Sequence, residues 1–144
     1  MPGKAIFDTS IYIEAIKRGK GSPDYSLLID SLPSTYLCSI VSSELYLGAG
    51  DRFAFKMVDQ LSARFKTLGR IISPNHSSWN HVGKILSEIK RKEPQYRSKI
   101  SDLFNDALIA QCARQLGAVV YTRNESDFSL IQRYRNFDFK VVRN

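Results

Sequence analysis

The sequence predicts an α/β fold, a three-layer α/β/α sandwich around a mainly parallel central sheet. Three observations predict it. Short apolar runs recur as candidate strands, longer stretches with helical spacing separate them, and glycine and proline punctuate the junctions. The 144 residues form a single predicted domain, 1–144, long enough for one core without staples. With 43% hydrophobic and 24% charged residues, the composition is that of a globular protein and excludes a disordered or fibrous chain.

The elements follow in order. Residues 5–8 read as a buried strand, and 9–17 repeat apolar positions (Ile13, Ile16) at helical spacing until Gly19, Gly21 and Pro23 break the pattern. Residues 24–31 are a short helix and 35–40 a second strand. Ser42 or Ser43 is expected to cap a helix that runs through Leu47 and stops at Gly48 and Gly50. Residues 51–68 are a long amphipathic helix with Phe55, Val58, Leu61 and Phe65 on one face. A third strand at 70–73 precedes Pro74, which is placed to start a helix with the stripe Trp79, Val82, Ile85, Leu86 and Ile89. The polar stretch 90–99 reads as a loop. Ser101 is expected to cap a helix that ends at Gly117. Residues 118–122 form the fourth strand, 127–134 a short helix and 137–142 the last strand. No repeat or linker interrupts this alternation.

The net charge is +7 and the pI about 9.5, which favours polyanionic partners such as nucleic acid. Cys38 and Cys112 lie far apart in apolar stretches, without zinc-ligand spacing, and are expected to be small buried hydrophobes. No segment reads as a signal peptide or membrane span, so a reducing cytoplasm is the expected compartment.

Within this basic chain four acids stand at strand ends or helix starts: Asp8, Glu44, Asp106 and Asp127. The carboxyl ends of the strands form the rim where ligands bind in an α/β sheet. Acids gathered there repel one another unless a cation separates them, and a hard divalent ion with oxygen ligands suits the set. Each acid also has a plain structural use. Asp8 and Asp127 are placed to cap helices, and Glu44 sits near a positive helix end. Asp106 has none, because Asp is a poor helix former and its neighbours Leu103, Phe104, Ala107 and Leu108 are apolar. The joint placement points to a nuclease.

The segments Ile6-Phe7-Asp8-Thr9-Ser10, Ser43-Glu44-Leu45, Asn105-Asp106-Ala107-Leu108-Ile109-Ala110 and Thr122-Arg123-Asn124 with Asp127-Phe128 resemble, in order, the motifs of PIN-domain ribonucleases. The likeness is to the VapC-type toxins of bacterial toxin–antitoxin pairs, and it spans nearly the full chain. It implies a PIN-like fold in which Asp8, Glu44 and Asp106 are the catalytic, metal-binding acids. The family's fourth, often acidic, position aligns with Asn124, which adds no charge. Asp127 is then expected to complete the metal site or to anchor the turn. Ser10 and Thr122 match hydroxyl positions that support the acids.

The resemblance implies endonucleolytic cleavage of RNA to a 5′-phosphate, dependent on Mg²⁺ or Mn²⁺. Such ions take octahedral oxygen ligands, keep several waters, and acidify one of them for in-line attack on a phosphodiester. The resemblance further implies a small antitoxin that covers the acidic pocket, and a homodimer. Among the basic residues, Arg123 beside the acids is the expected phosphate clamp. Lys92 and Arg97, in the 90–99 stretch with Tyr96, are expected to track RNA. His76 and His81, five apart, share no helix face well and are not expected to bind metal. Trp79 is expected in the core. Tyr25, Leu28, Phe53 and Met57 are candidates for a partner surface, with at least half of them expected in the core. The alternative function is a catalytically weak or inactive PIN-like domain that binds RNA or a protein without cutting.

Overall fold

Ala5, Ile6 and Phe7 are all but inaccessible to solvent, as a strand flanked on both sides and covered on both faces requires. They belong to β1 (Lys4–Phe7), the middle of a five-stranded sheet in the order β3-β2-β1-β4-β5. The other strands are β2 (Thr35–Cys38), β3 (Ile71–Ile72), β4 (Ala118–Thr122) and β5 (Asp138–Val141). Every pairing is parallel, with Ile6 opposite Tyr36 on β2 and Val120 on β4. This computed structural model describes residues 3–18, 21 and 23–143. Gly19 and Lys20 lie outside the described residues, as do the side chains of Tyr25 and Leu28.

Among the described residues, seven α-helices connect and cover the strands: α1 (Thr9–Arg18), α2 (Pro23–Ser31), α3 (Ser39–Gly48), α4 (Arg52–Thr67), α5 (His76–Lys92), α6 (Ile100–Leu116) and α7 (Glu125–Gln132). α1 packs on α2 and α3, and α3 on α4, whereas α5 packs on α6 and α6 on α7. Right-handed crossovers explain the two sets. The chain moves outward from β1 to β3, then returns past β1 to β4, so the later helices cover the opposite face. The predicted sandwich is the observed fold.

α6 carries the densest part of the core. Leu103, Ala107, Leu108, Ile109, Ala110, Cys112 and Ala113 are buried, which takes in most sides of the helix, as expected for one held between a sheet and other helices. It stops at Gly117, whose φ of 66° provides the left-handed turn that satisfies the last carbonyls. Cys38 and Cys112 are free and buried, as expected. Phe128 is fully buried against Phe137 and Phe139. Phe128→Ala is expected to cost about 3–5 kcal/mol, read as a lowered denaturant midpoint at unchanged m.

Several local expectations differ from the structure. The second strand ends at Cys38, and α3 starts at Ser39 without a side-chain cap; Ser42 and Ser43 lie inside it and donate to the carbonyls of Ser39 and Ile40. Asn75 rather than Pro74 starts α5, its Oδ1 accepting from the Ser78 N–H at 2.8 Å. The stretch 90–99 is no loop: α5 continues to Lys92 and a 3₁₀ helix fills Pro94–Lys99, so Ser101 falls within α6. Trp79 is 47% exposed, tilted against Phe104, because the buried stripe of α5 passes through Ser78, Val82 and Ile85 instead. Phe53 is 73% exposed and Phe55 48%, while Val58 and Phe65 do enter the core.

Candidate active site at the carboxyl ends of the central strands

β1 and β4 are neighbours at the point where the chain reverses its progress across the sheet, and a crevice opens outside the strand ends at such a point. Asp8 follows β1 directly, and its N–H donates to the Tyr121 carbonyl of β4 at 2.9 Å. The side chain is 6% exposed. Its Oδ1 accepts from the Thr9 N–H at 2.7 Å, and its Oδ2 accepts from the Thr122 hydroxyl at 2.7 Å and the Ser10 hydroxyl at 3.1 Å. Burial raises the Asp8 carboxyl above its ordinary value; these donors pull it back, and Glu44 adds some repulsion. Ser10 and Thr122, the hydroxyls expected beside the acid, both donate to it.

Glu44 reaches the same crevice from α3. Its Oε1 accepts from the Thr9 hydroxyl at 2.6 Å, and its Oε2 from the Asn105 amide at 3.4 Å. Asp106, the next residue on α6, faces Asn124, whose Nδ2 donates to Asp106 Oδ2 at 3.4 Å. Burial, then repulsion from Asp8, Asp127 and Glu44, pushes the Asp106 carboxyl up to about 8, with Lys99 offsetting part of the rise. Four segments distant in sequence thus bring their acids within electrostatic reach.

Asp127 has a different station. Its Oδ1 pairs with the Lys99 ammonium at 3.0 Å, and its Oδ2 accepts from Asn124 Nδ2 at 2.9 Å. Asn124, not Asp127, caps α7, its Oδ1 accepting from the Asp127 N–H at 3.2 Å. Asn124 thereby links Asp127 to Asp106. Three residues of this site were given no part in the acid cluster from the sequence: Thr9, Asn105 and Lys99. Thr9 and Asn105 are chain neighbours of Asp8 and Asp106, which was the available signal. Lys99 carried none, since it is joined to the acids only by the packing of the 3₁₀ turn.

The basic candidates divide. Arg123 stands at the rim, its N–H donating to Ser10 Oγ at 3.3 Å. Lys92 pairs with Glu88 at 3.3 Å and lies over the Tyr134 ring, and Arg97 Nε donates to the Lys90 carbonyl. No described contact joins Lys92 or Arg97 to the acids. His76 is exposed and His81 partly buried, and both are hydrogen-bonded within α5.

Among the described residues, no three His, Cys, Asp or Glu side chains stand close enough to ligate one ion directly. Glu44, expected to meet the metal directly or through a water, has its oxygens held by Thr9 and Asn105. The donor set still suits a partly hydrated hard ion, which needs only one or two carboxylates and keeps its waters. Burial first, and the neighbouring acids second, disfavour the Asp106 carboxylate, and a cation there would offset both.

The sequence matches the PIN domain family over residues 5–134. The chain belongs to this family. Solved structures similar to this PIN domain include chains of three complexes. One is DNA-bound VapBC from Salmonella typhimurium, with TM-score 0.67, 23% identity, and 96% of this chain and 98% of that one covered. Another is VapBC-1 from nontypeable Haemophilus influenzae, with TM-score 0.66, 23% identity, and coverage of 95% and 96%. A third is FitAcB from Neisseria gonorrhoeae, with TM-score 0.69, 20% identity, and coverage of 94% and 95%. At these identities the likeness speaks for the fold. No curated protein sequence matches this chain significantly. No helix among its described residues is long and apolar enough to cross a membrane.

Proposed function

We propose that this PIN domain is a divalent-metal-dependent endoribonuclease and the toxin of a toxin–antitoxin pair. The observation that carries the reading is the convergence of Asp8, Glu44 and Asp106 at the switch point of the sheet, where burial and then the charge of its acidic neighbours raise the Asp106 carboxyl to about 8. Asp8 and Asp106 are the proposed ligands of Mg²⁺ or Mn²⁺, and Glu44, freed from Thr9 or acting through a water, the third acid. A bound ion would supply an acidified water as nucleophile and offset charge on the phosphate. The chain's own groups do the rest. Thr122, Ser10 and the Thr9 N–H fix the Asp8 carboxylate in one orientation. Glu44 is placed to orient water or receive its proton. Asn124 and Asp127 hold the far side of Asp106, and Arg123 at the rim is the proposed clamp for a substrate phosphate.

A partner is part of the proposal. VapBC and FitAcB are complexes, and this fold carries an apolar cleft of about 230 Å³ between α1, α3 and α4, lined by Ile13, Ile16, Leu45, Met57 and Val58 with Glu44 at its border. An antitoxin segment lying there would end beside the acids. A homodimer and a cytoplasmic location complete the proposed picture.

The purified chain is expected to cut single-stranded RNA internally with Mg²⁺ or Mn²⁺, to stop on addition of EDTA, and to arrest growth when expressed alone. RNA left intact on several substrates with metal present, but bound, would favour the non-cutting alternative.

A further inference from the structure

Where α5 begins after β3 and α6 ends before β4 lies a cleft of about 200 Å³ lined entirely by polar and basic residues, among them Ser77, Ser78, His81, Gln111, Arg114 and Arg135. Much of its wall is already satisfied. Gln115 Oε1 accepts from the Asn75 N–H at 2.9 Å and the Ser78 hydroxyl at 2.6 Å, and His81 Nδ1 donates to the Ser77 carbonyl at 2.8 Å.

Donors are left over. Gln111 is 3% exposed, and its Nε2 has no hydrogen-bond partner in the protein; neither has the buried Nε of Arg135. Buried polar atoms are normally paired, so two orphan donors beside one cleft call for an acceptor. The N-terminus of α5 opens here as well. Its Asn75 cap takes the Ser78 N–H and leaves those of His76 and Ser77 without helical partners. Arg114 donates to the Asn136 carbonyl, and neither Arg114 nor Arg135 has a carboxylate within ion-pair distance among the described residues. Asp138 lies in the adjoining cleft with Arg114, but no described acid lines this one. Burial, followed by the like charge of Arg114, holds the Arg135 guanidinium below its ordinary range.

We propose that this cleft is a binding site for a phosphate group, held by Arg114, Arg135, Gln111 and the N-terminus of α5. Guanidinium forks and a helix N-terminus both match the tetrahedral oxyanion, and two positive charges suit a dianion better than a single carboxylate. The volume is below the ~300 Å³ of the smallest pockets for drug-sized ligands, so the phosphoryl group enters without its nucleoside. Free phosphate and a phosphate of an RNA strand present the same chemistry. The inference is independent of the proposed nuclease site.

The test is a titration of the full chain with inorganic phosphate at fixed ionic strength, followed by NMR of the arginine Nε–H and glutamine side-chain amide signals. Saturable shifts of the Arg135 Nε–H and Gln111 amide are expected, with affinity at least tenfold weaker in Arg114→Gln and in Gln111→Glu. The second variant is nearly isosteric and supplies an internal carboxylate, so it is expected to stay folded, which circular dichroism checks. Displacement of phosphate by a single-stranded RNA oligomer on the Asp8→Asn chain would assign the site to the RNA strand, and phosphate binding unaffected by RNA would assign it to the free ion. Shifts reproduced by chloride at the same ionic strength, or phosphate affinity kept within twofold in both variants, would overturn the site.

Discussion

Asp8→Asn is expected to lower kcat/KM for metal-dependent RNA cleavage by about a thousandfold or more. Metal-ion stabilisation of developing charge contributes several kcal/mol, and each 1.36 kcal/mol is about a factor of ten in rate. The fold should survive the change. Asn keeps an oxygen for the Thr9 N–H, the two hydroxyls can rotate, and a buried charge is removed, since Asp8 is only 6% exposed. The paired measurement is cleavage of a fluorescent RNA and a thermal melt of the same preparation. An activity within tenfold of the parent, in a folded protein, would remove Asp8 from the proposed metal site.

The second large effect links pH, metal and Asp106. Its folded carboxyl titrates at about 8, against an ordinary 3.8 when unfolded, so the folded state holds a proton that the unfolded chain has released. That contribution to stability is complete below about pH 4, drains away at up to about 1.4 kcal/mol per pH unit as pH rises, and is gone above about pH 8. In EDTA the Tm should therefore fall between pH 5 and 8, and Asp106→Asn should flatten the slope. Divalent metal acts with the opposite sign. It needs the carboxylate, so binding releases up to one proton, and affinity should rise as much as tenfold per pH unit until about pH 8. At a hundred times Kd, Mn²⁺ should stabilise the parent by about 2.7 kcal/mol and leave Asp106→Asn almost unmoved. Melts with and without Mn²⁺ across that range check both signs; a Tm in EDTA that climbs steadily toward pH 8 would contradict the reading of Asp106.

The fold was legible because it depends on pattern. The apolar runs at β1, β2 and β4 and the helical stripes between them are long enough to carry their period, so the order of elements came out right. Element ends did not, because they depend on single caps. Nothing local distinguishes Ser42 from Ser39 as the start of α3, and a polar stretch such as 90–99 can be solvated on a helix as well as in a loop. Trp79 was misplaced for a related reason: several faces of α5 have apolar residues, and packing against α6 decides among them. At the site, the acids were visible from their positions beside strands, whereas their restraints were not. The bond from Thr9 to Glu44 joins residues 35 apart, and the pairing of Lys99 with Asp127 joins residues 28 apart; neither has a spacing rule.

Thr9 fastens two acids that belong to different helical connections, one through its amide and the other through its hydroxyl. Anyone transplanting this centre into another scaffold would have to move the junction after β1 as an undivided unit, since exchanging that one hydroxyl for a methyl group would leave Glu44 held by Asn105 alone while Asp8 stayed in register.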